Sequence, residues 1–386
     1  MQQMNQVITR AVSYALDTQQ AAQELAAQLA DPEIGFVLFF CSAEFDLARL
    51  SIAIEQSQPE VMVVGCTTAG EITPFGYARG CICALGFSRQ LFTVGAALIK
   101  EMEQFSLIKA QELVGGLINQ CRSSAQAVLP IKDHSFVLTL FDGLASREET
   151  VLAALSAALG GIPLFGGSAG DDNYLSQTHV YYQGRFHSGA AIVVLINTPL
   201  EFEVFNMHHL TPSAEKLVVT KVDSQLRQVL EVNAEPAVSA YQQLTAAQQL
   251  GMDVFACHPL AVKIGENYYP RAIQKANPNQ SLTFYCAVDN GIVLTAMQRQ
   301  SLTDTLNQLF AGINQRLGEL LLTIGCDCVL RRLESEITGQ HQRVEQILIE
   351  QQVVGFNTYG EQINGMHVNQ TFTGVAIGKK YKQRRN

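Results

Sequence analysis

Short continuous apolar runs alternate with amphipathic stretches along this chain. Near the start, FVLFF (36–40) is typical of a buried strand, and AEFDLARLSIAIEQS (43–57) has apolar residues at helical spacing. A second apolar run, VMVVGCTTAGE (61–71), then ends in glycine, small hydroxyl residues and an acid. The two apolar runs lie about 30 residues apart, which is the usual size of a strand–helix–strand unit.

The same order of runs occurs twice more, and each copy ends in a similar string. The later copies are FVLTL (136–140), SREETVLAALSAAL (146–159) and IPLFGGSAGDD (162–172), and LLLTI (320–324), VLRRLESEITGQHQRVEQILIEQQ (329–352) and VVGFNTYGEQ (353–362). A string repeated at the exit of a repeated unit indicates an internally duplicated scaffold. We therefore predict three equivalent strand-end corners, with Gly65, Gly166 and Gly355 at the corners.

Strand-like runs of a different kind follow each unit. Four more, PLAVKIG, YYPRAIQKA, SLTFYCAVD and GIVLTAMQ, occupy 259–298 with turn residues between them, which favours an antiparallel meander. Helices and strands thus both alternate and segregate along the chain. We predict an α+β fold with mixed, largely antiparallel sheets flanked by helices; a doubly wound parallel sheet is the alternative.

Composition narrows the classes of function. The chain has 386 residues, 47% of them hydrophobic and 16% charged, which predicts a globular protein of about two domains. A net charge of -9 argues against binding to nucleic acid. We find neither a signal peptide nor the roughly 20 apolar residues that cross a bilayer, and expect a cytoplasmic protein without membrane insertion. Nine cysteines, several inside apolar runs, favour reduced thiols over disulfides.

Each repeated string ends in an acid, Glu71, Asp171 or Glu361. Glycine permits tight backbone turns, and a charge after a strand end often faces a ligand crevice. One interpretation is that the strings are three equivalent structural corners. The other is that at least one of them also forms part of a ligand-binding wall, since loops on a rigid scaffold commonly carry function.

Metal and enzyme motifs are weak. Cys81 with Cys83, and Cys326 with Cys328, could each face one ion from a strand, but the usual four-ligand zinc pattern is not present. The sequence contains no HExxH motif, and GGSAGDD (166–172) lacks the lysine of a phosphate-binding loop. We therefore predict that the chain is not an enzyme.

Three strings together resemble one family. GCTTAGEI (65–72), GIPLFGGSAGDD (161–172) and GFNTYGEQINGMHVNQTFTGVAIG (355–378) are similar to the FIST family of sensory domains, and the resemblance extends over about 30–378. It implies a ligand-sensing module of bacterial signal transduction. The implied organisation is a helical lead at 1–32, an N-terminal FIST domain at 33–225 and a C-terminal FIST domain at 226–386.

A stand-alone FIST protein further resembles the NosP group of haem-binding nitric-oxide sensors, which act on a separate histidine kinase. This resemblance implies haem as cofactor, nitric oxide as input and a kinase as partner. Haem needs an axial ligand in an apolar pocket and a partner for its propionates. The candidates for haem binding, with His367 as first choice for the iron ligand, are His367, Arg271, Tyr359, Glu361, His209 and His258. A sensor of an organic metabolite without haem and a cofactor-free interaction scaffold remain the alternatives.

Overall fold

The three strand–helix–strand units supply the central strands of three sheets that repeat one arrangement. In this computed structural model, which describes residues 7–124 and 129–382, each unit contributes a parallel pair of strands. Every other pairing in these sheets is antiparallel. The prediction of an α+β fold with mixed, largely antiparallel sheets is confirmed.

Each of the three sheets has six strands. The first sheet has the order β1 (Ile8–Ser13), β6 (Ile82–Ser88), β2 (Ile34–Ser42), β3 (Met62–Thr68), β10 (Val180–Tyr182) and β11 (Arg185–His187). The second sheet has the order β7 (Thr93–Ile99), β12 (Ala191–Asn197), β8 (Ser135–Phe141), β9 (Leu164–Ser168), β24 (Glu361–Ile363) and β25 (Met366–Val368). The third sheet has the order β13 (Leu200–Met207), β26 (Phe372–Tyr381), β22 (Leu320–Cys328), β23 (Val353–Thr358), β4 (Glu71–Thr73) and β5 (Gly76–Ala78).

The hairpin that follows each unit leaves its own sheet and joins another. The β4–β5 hairpin of the first unit pairs with β23 of the third sheet, and the β24–β25 hairpin of the third unit pairs with β9 of the second. The β10–β11 hairpin, which follows the second unit, pairs with β3 of the first sheet. The exchange closes a ring, so the three sheets form one body around a common centre.

Ten helices lie in the described residues, and most of them cover the outer faces of these sheets. They are α1 (Thr18–Gln28), α2 (Leu47–Ser57), α3 (Leu107–Ser124), α4 (Ile131–His134), α5 (Glu148–Leu159), α6 (Ala237–Thr245), α7 (Met252–Cys257), α8 (Leu302–Leu317), α9 (Val329–Ile337) and α10 (His341–Glu350), with a 3-10 turn at Met102–Gln104. Alternation along β2 separates the two faces: Phe36 and Phe40 point to the shared interior, whereas Val37 and Phe39 pack under α1 and α2. Within the shared interior Phe40 stacks on Phe356, with ring centroids 4.7 Å apart. None of the helices in the described ranges has the length and apolar run needed to cross a bilayer.

The single long helix predicted over 329–352 is wrong. The helix ends at Ile337, and a second one begins at His341. Gly339 between them has a φ of +68°, the left-handed conformation that commonly terminates a helix. The break lets α10 pack with α8 over the third sheet while α9 carries two arginines into the centre.

A fourth sheet is inserted between β13 and α8. Its strands are β14 (Leu210–Asp223), β15 (Gln228–Val232), β16 (Glu235–Pro236), β17 (Leu260–Ile264), β18 (Asn267–Arg271), β19 (Ile273–Ala276), β20 (Leu282–Phe284) and β21 (Val293–Arg299). All their pairings are antiparallel, as predicted for 259–298. The insert packs on the common centre where Ala256 and Tyr285 join Tyr359 in one apolar cluster.

The predicted domain boundaries remain predictions. Part of the helical lead expected at 1–32 is a strand, because Ile8–Ser13 pairs along β6, and α1 follows it. Residues 1–6 of that lead and 383–386 of the predicted C-terminal domain lie outside the described residues. The boundary predicted at 225/226 falls in the turn between β14 and β15.

Candidate functional site

The three repeated strings meet at the common centre, where their backbones bond to one another in a ring. The ring consists of Ala69 N donating to Asn357 O (3.0 Å), Tyr359 N donating to Ser168 O (3.1 Å) and Gly170 N donating to Thr67 O (3.1 Å). Gly65, Gly166 and Gly355 lie inside β3, β9 and β23, so the prediction that they are the corners is wrong. Strand packing explains them, since a Cβ on Gly355 would lie 1.8 Å from the carbonyl oxygen of Gly325.

Two of the three terminal acids bond within their own copy of the string and its neighbouring strands. Glu71 accepts a hydrogen bond of 2.6 Å from the Thr68 hydroxyl and one of 3.3 Å from the Cys81 thiol. Glu361 accepts from the Thr358 hydroxyl and from the backbone and hydroxyl of Thr371. Burial raises the pKa of each carboxyl to about 7, although the hydroxyl donors oppose the shift. Both acids therefore have partners inside the protein.

The third acid, Asp171, fixes the loop that follows β9. Its carboxylate accepts backbone N–H bonds from Leu175, Ser176 and Gln177 and a hydrogen bond from the buried Tyr359 hydroxyl. The Tyr359 oxygen in turn accepts the N–H of Asn173 at 2.8 Å. Tyr359 thus ties the loop at 171–174 to the common centre.

Arg332 lies at this centre and was missed in the sequence. It is the bulkiest of the fully buried side chains in the described residues. Nη1 donates to Ala69 O at 2.6 Å and to Asn357 Oδ1 at 3.0 Å. The guanidinium fits because residue 70 is glycine: a Cβ there would lie 1.9 Å from Nη1. Burial lowers the pKa of Arg332, and Arg79 adds to the effect.

One edge of the Arg332 guanidinium is left without a hydrogen-bond acceptor. Nε and Nη2 are buried and make no hydrogen bond to the described residues; Nε forms one ion pair, at 3.5 Å, with Glu336 Oε1. A buried donor without a partner is costly, and arginine presents such adjacent N–H groups as a planar fork suited to carboxylate or phosphate. This edge is therefore suited to binding an acidic group.

Acceptors without donors lie in the adjoining loop. Asp172 Oδ1 and Asn173 Oδ1 are buried and accept no hydrogen bond from the described residues, and both residues have left-handed φ values, +52° and +71°. Asp172 Oδ2 accepts from the Ser42 hydroxyl at 3.3 Å. Burial raises the pKa of Asp172, while Arg332 acts in the opposite direction. We call Arg332, Asp172 and Asn173 the open centre.

Of the predicted haem residues, His367 is buried beside Glu149. Its Nδ1 is 3.3 Å from Glu149 Oε1, and its Nε2 is buried without a partner in the described residues. Burial alone would lower the pKa of His367, but Cys286 and the two carboxylates Glu148 and Glu149 outweigh it and raise the pKa well above its usual value. Conversely, burial would raise the pKa of Glu149, but His367 and Arg227 lower it.

The other predicted residues do not form one pocket with His367. Arg271 lies beside it, with Nη1 3.5 Å from the His367 carbonyl oxygen. His209 is buried elsewhere: Nδ1 accepts from Arg331 at 2.9 Å, so Nε2 carries the proton and donates to Glu334 at 2.8 Å. His258 is exposed just after α7. Of the predicted set, Arg271 thus lies beside His367, and Glu361 lies in the strand that pairs with β25.

The surroundings of His367 do not fit a haem. A Cβ on Gly360 would lie 2.1 Å from Nε2, so the backbone at Gly360 blocks the approach of a haem iron to this nitrogen. The other ring nitrogen, Nδ1, faces Glu149. Clefts of about 650 and 520 Å³ in the described residues are lined by other residues, including Arg10 and His187. Haem at His367 therefore requires a rearrangement of this region, and the haem prediction stays a prediction.

The cysteines are free thiols, and eight of the nine are buried. Of the pairs considered as metal ligands, Cys81 donates to Glu71, and Cys83 and Cys326 lie in the shared interior. Burial raises the pKa of each of these thiols. Their surroundings are those of core thiols.

One curated relative and one solved structure are similar to nearly the whole chain. "Uncharacterized protein MJ1623" of Methanocaldococcus jannaschii is 23% identical in an alignment of length 369 that covers 85% of this chain and 70% of the relative. The crystal structure of a cyanuric acid hydrolase from A. caulinodans matches 97% of this chain and 99% of its own at 9% identity and a TM-score of 0.39.

The second comparison corrects one prediction. We expected from the missing motifs that the chain is not an enzyme, yet the solved structure similar to it is a hydrolase. The expectation therefore no longer stands. A TM-score of 0.39 assigns no activity to this chain, and we draw none from it.

Two protein-family models match this chain and show the family to which it belongs. The model described as the FIST N domain matches residues 35–235, and the model described as the FIST C domain matches residues 237–364. Together they cover most of the chain, and FIST domains are generally sensory ligand-binding modules in signalling. This chain belongs to the FIST family, with a FIST N and a FIST C domain.

Proposed function

We propose that this FIST protein is a sensor whose small organic ligand carries an acidic group and binds Arg332 at the open centre. The observation that carries the proposal is the buried guanidinium edge, Nε and Nη2, which makes no hydrogen bond to the described residues and has only the 3.5 Å ion pair of Nε with the partly exposed Glu336. Most buried polar groups in proteins are hydrogen-bonded, so this exception calls for a partner. A carboxylate or phosphate oxygen pair matches the fork in both charge and spacing.

The same loop indicates a second feature of the ligand. Asp172 Oδ1 and Asn173 Oδ1 are acceptors without donors, so a ligand that also carries an N–H or O–H group would satisfy both sides. The loop is held by Asp171 and Tyr359, which ties ligand contact to the point where the three sheets and the insert meet. Ligand binding at that point would bias the position of the insert relative to the sheets, which is the kind of population shift that a signalling partner can detect.

Thermal unfolding with a library of metabolites tests the proposal. The probes are small carboxylic and phosphoric acids, each paired with its neutral amide or ester. A ligand at about 100 times its Kd stabilises the native state by about 2.7 kcal/mol. We expect at least one acid, and not its neutral analogue, to raise the unfolding temperature of the wild-type protein.

Two variants decide where the acid binds. Arg332→Lys keeps a positive charge and a donor for Ala69 O but lacks the fork, so the shift should disappear. Arg343→Gln removes an exposed arginine of α10 and should leave the shift unchanged. An acid that stabilises Arg332→Lys as much as the wild type would contradict the proposal, as would a library without a stabilising acid.

Haem, nitric oxide, a separate histidine kinase and the cytoplasm remain finer predictions from the resemblance and the composition. The absorption spectrum after haem addition tests the first two, because a sharp Soret band that shifts with nitric oxide requires bound haem. Phosphorylation assays with candidate kinases test the partner. The burial of eight free thiols supports a reducing compartment, and thiol titration of denatured protein without reductant should count nearly all nine.

A further inference from the structure

Three side chains from three separate segments meet beside the insert. Glu149 lies in the first turn of α5, Cys286 follows β20 of the insert, and His367 lies in β25. One ligand atom of each lies within 4.8 Å of the other two. His367 Nδ1 and Glu149 Oε1 are 3.3 Å apart, and two ligands that share one tetrahedral zinc ion are separated by about 3.3 Å.

We propose that Glu149, Cys286 and His367 bind one zinc ion. Thiolate and imidazole are the ligands that zinc prefers, and one carboxylate oxygen completes three protein ligands with water as the fourth. Binding releases the proton of the Cys286 thiol and any proton on His367 Nδ1. Cys286 and His367 are buried, whereas the side chain of Glu149 is 35% exposed, so the ion enters past Glu149.

Neighbouring groups already orient Glu149. Arg227 Nη2 pairs with Glu149 Oε2, and the N–H of Ala287 donates to Oε1 at 2.9 Å, which fixes Oε1 toward His367. Such supporting hydrogen bonds hold metal ligands in position in known sites. In the metal-free protein the Cys286 thiol donates to Asn369 Oδ1 at 2.8 Å; zinc replaces the proton of this bond, and the amide oxygen keeps the N–H of Ala272.

A zinc ion at this site would join three separate segments of the chain. Glu149 belongs to the second strand–helix–strand unit, Cys286 to the inserted sheet, and His367 to the hairpin contributed by the third unit. A zinc ion bound to all three therefore clamps the insert onto the sheets. The proposal shares no residue with the open centre and does not rest on the proposed function.

Metal titration of the purified full chain tests the site. The protein is freed of metal with a chelator, then titrated with Zn²⁺ against a chromophoric competitor and with Co²⁺ as a spectroscopic probe. We expect one equivalent of either ion, a thiolate-to-cobalt charge-transfer band, and intense visible bands typical of tetrahedral cobalt. Zinc should also slow hydrogen exchange in the insert.

Matched variants assign the ligands. Cys286→Ser and His367→Gln should each weaken zinc binding at least 100-fold, and Cys286→Ser should remove the charge-transfer band. Cys257→Ser and His187→Gln change a partly exposed cysteine and histidine outside the cluster and should bind zinc like the wild type. Arg332→Lys should also retain zinc, which separates this proposal from the proposed function.

Two results would overturn the site: wild-type protein that binds no zinc more tightly than Cys286→Ser, or His367→Gln with wild-type affinity. Circular dichroism of each metal-free variant shows whether it folds. If the buried variants fail to fold, Glu149→Gln replaces them, since its side chain is partly exposed; it should weaken zinc binding at least 10-fold, and wild-type affinity in it would equally refute the proposal.

Discussion

Two neighbouring arginines of α9 have opposite surroundings. Arg331 belongs to a closed network, in which Nε donates to Asp327 at 2.7 Å and Nη1 donates to His209, itself bound to Glu334. Arg332 is buried to the same degree, yet two of its three nitrogens make no hydrogen bond to the described residues, and Nε has only a 3.5 Å ion pair with Glu336. A buried charge with all its partners is compensated within the fold, whereas one with an open edge is suited to a ligand.

The largest difference should appear in stability. Arg331→Met removes the charged partner of Asp327, which keeps the Tyr77 hydroxyl, and the donor of His209; it should lower the free energy of unfolding by about 3–5 kcal/mol. Arg332→Met loses the bonds to Ala69 O and Asn357 Oδ1 but also removes an incompletely paired charge, and should cost at most about 2 kcal/mol. Urea denaturation of both variants measures the two losses. The reverse order would break the comparison.

A pH series should show how the buried carboxyl of Glu361, whose partners lie inside the protein, affects stability. Burial raises the pKa of Glu361 from 4.5 to about 7. The folded state therefore binds this proton more tightly, and the stability it contributes is complete below about pH 4.5 and lost as pH rises to about 7. In Glu361→Gln this loss, up to about 3 kcal/mol, should be absent, so the variant gains on the wild type as pH rises. Denaturant midpoints across that range measure it; parallel curves would contradict the assigned burial.

Gly70 should matter more than another glycine with a positive φ in an open turn. It has a φ of +129°, and the Cβ of Gly70→Ala would lie 1.9 Å from Arg332 Nη1. We expect a loss of about 2–3 kcal/mol from strain and displaced guanidinium. Gly265 has a φ of +61° with nothing near its Cβ position, so Gly265→Ala should cost only about 1 kcal/mol. Equal losses in thermal unfolding would mean that Arg332 is not held against Gly70.

The smallest effect should come from Tyr359→Phe. It removes one hydroxyl that donates to Asp171 and accepts from Asn173 N. The loss should be about 1–2 kcal/mol, because buried partners remain unsatisfied. Ligand affinity should fall with it, since the loop carries Asp172. A stable variant with unchanged ligand affinity would show that the loop does not position the open centre.

The three repeated units could be predicted from the sequence, but the exchange of hairpins between sheets and the contacts at the centre could not. Apolar runs and similar strings located all three strand–helix–strand units, since those signals are local. The exchange of hairpins is not local: Ile72 pairs with Gly355, far along the chain. Arg332 lies in a charged helical stretch that indicates an exposed face, but it is buried because α9 packs against the turn at Gly70, far away along the chain. Glu149 and Cys286 likewise meet His367 only through packing of the insert.

The most direct test of the open centre is calorimetric titration of the best acid from the metabolite library into wild-type and Arg332→Lys protein, side by side. Loss of a bidentate charged hydrogen bond is worth roughly 3 kcal/mol, or about 100-fold in Kd. We predict at least that loss in Arg332→Lys, with one binding site per chain in the wild type. Equal affinity in the two proteins would contradict the assignment of Arg332 as the ligand's partner.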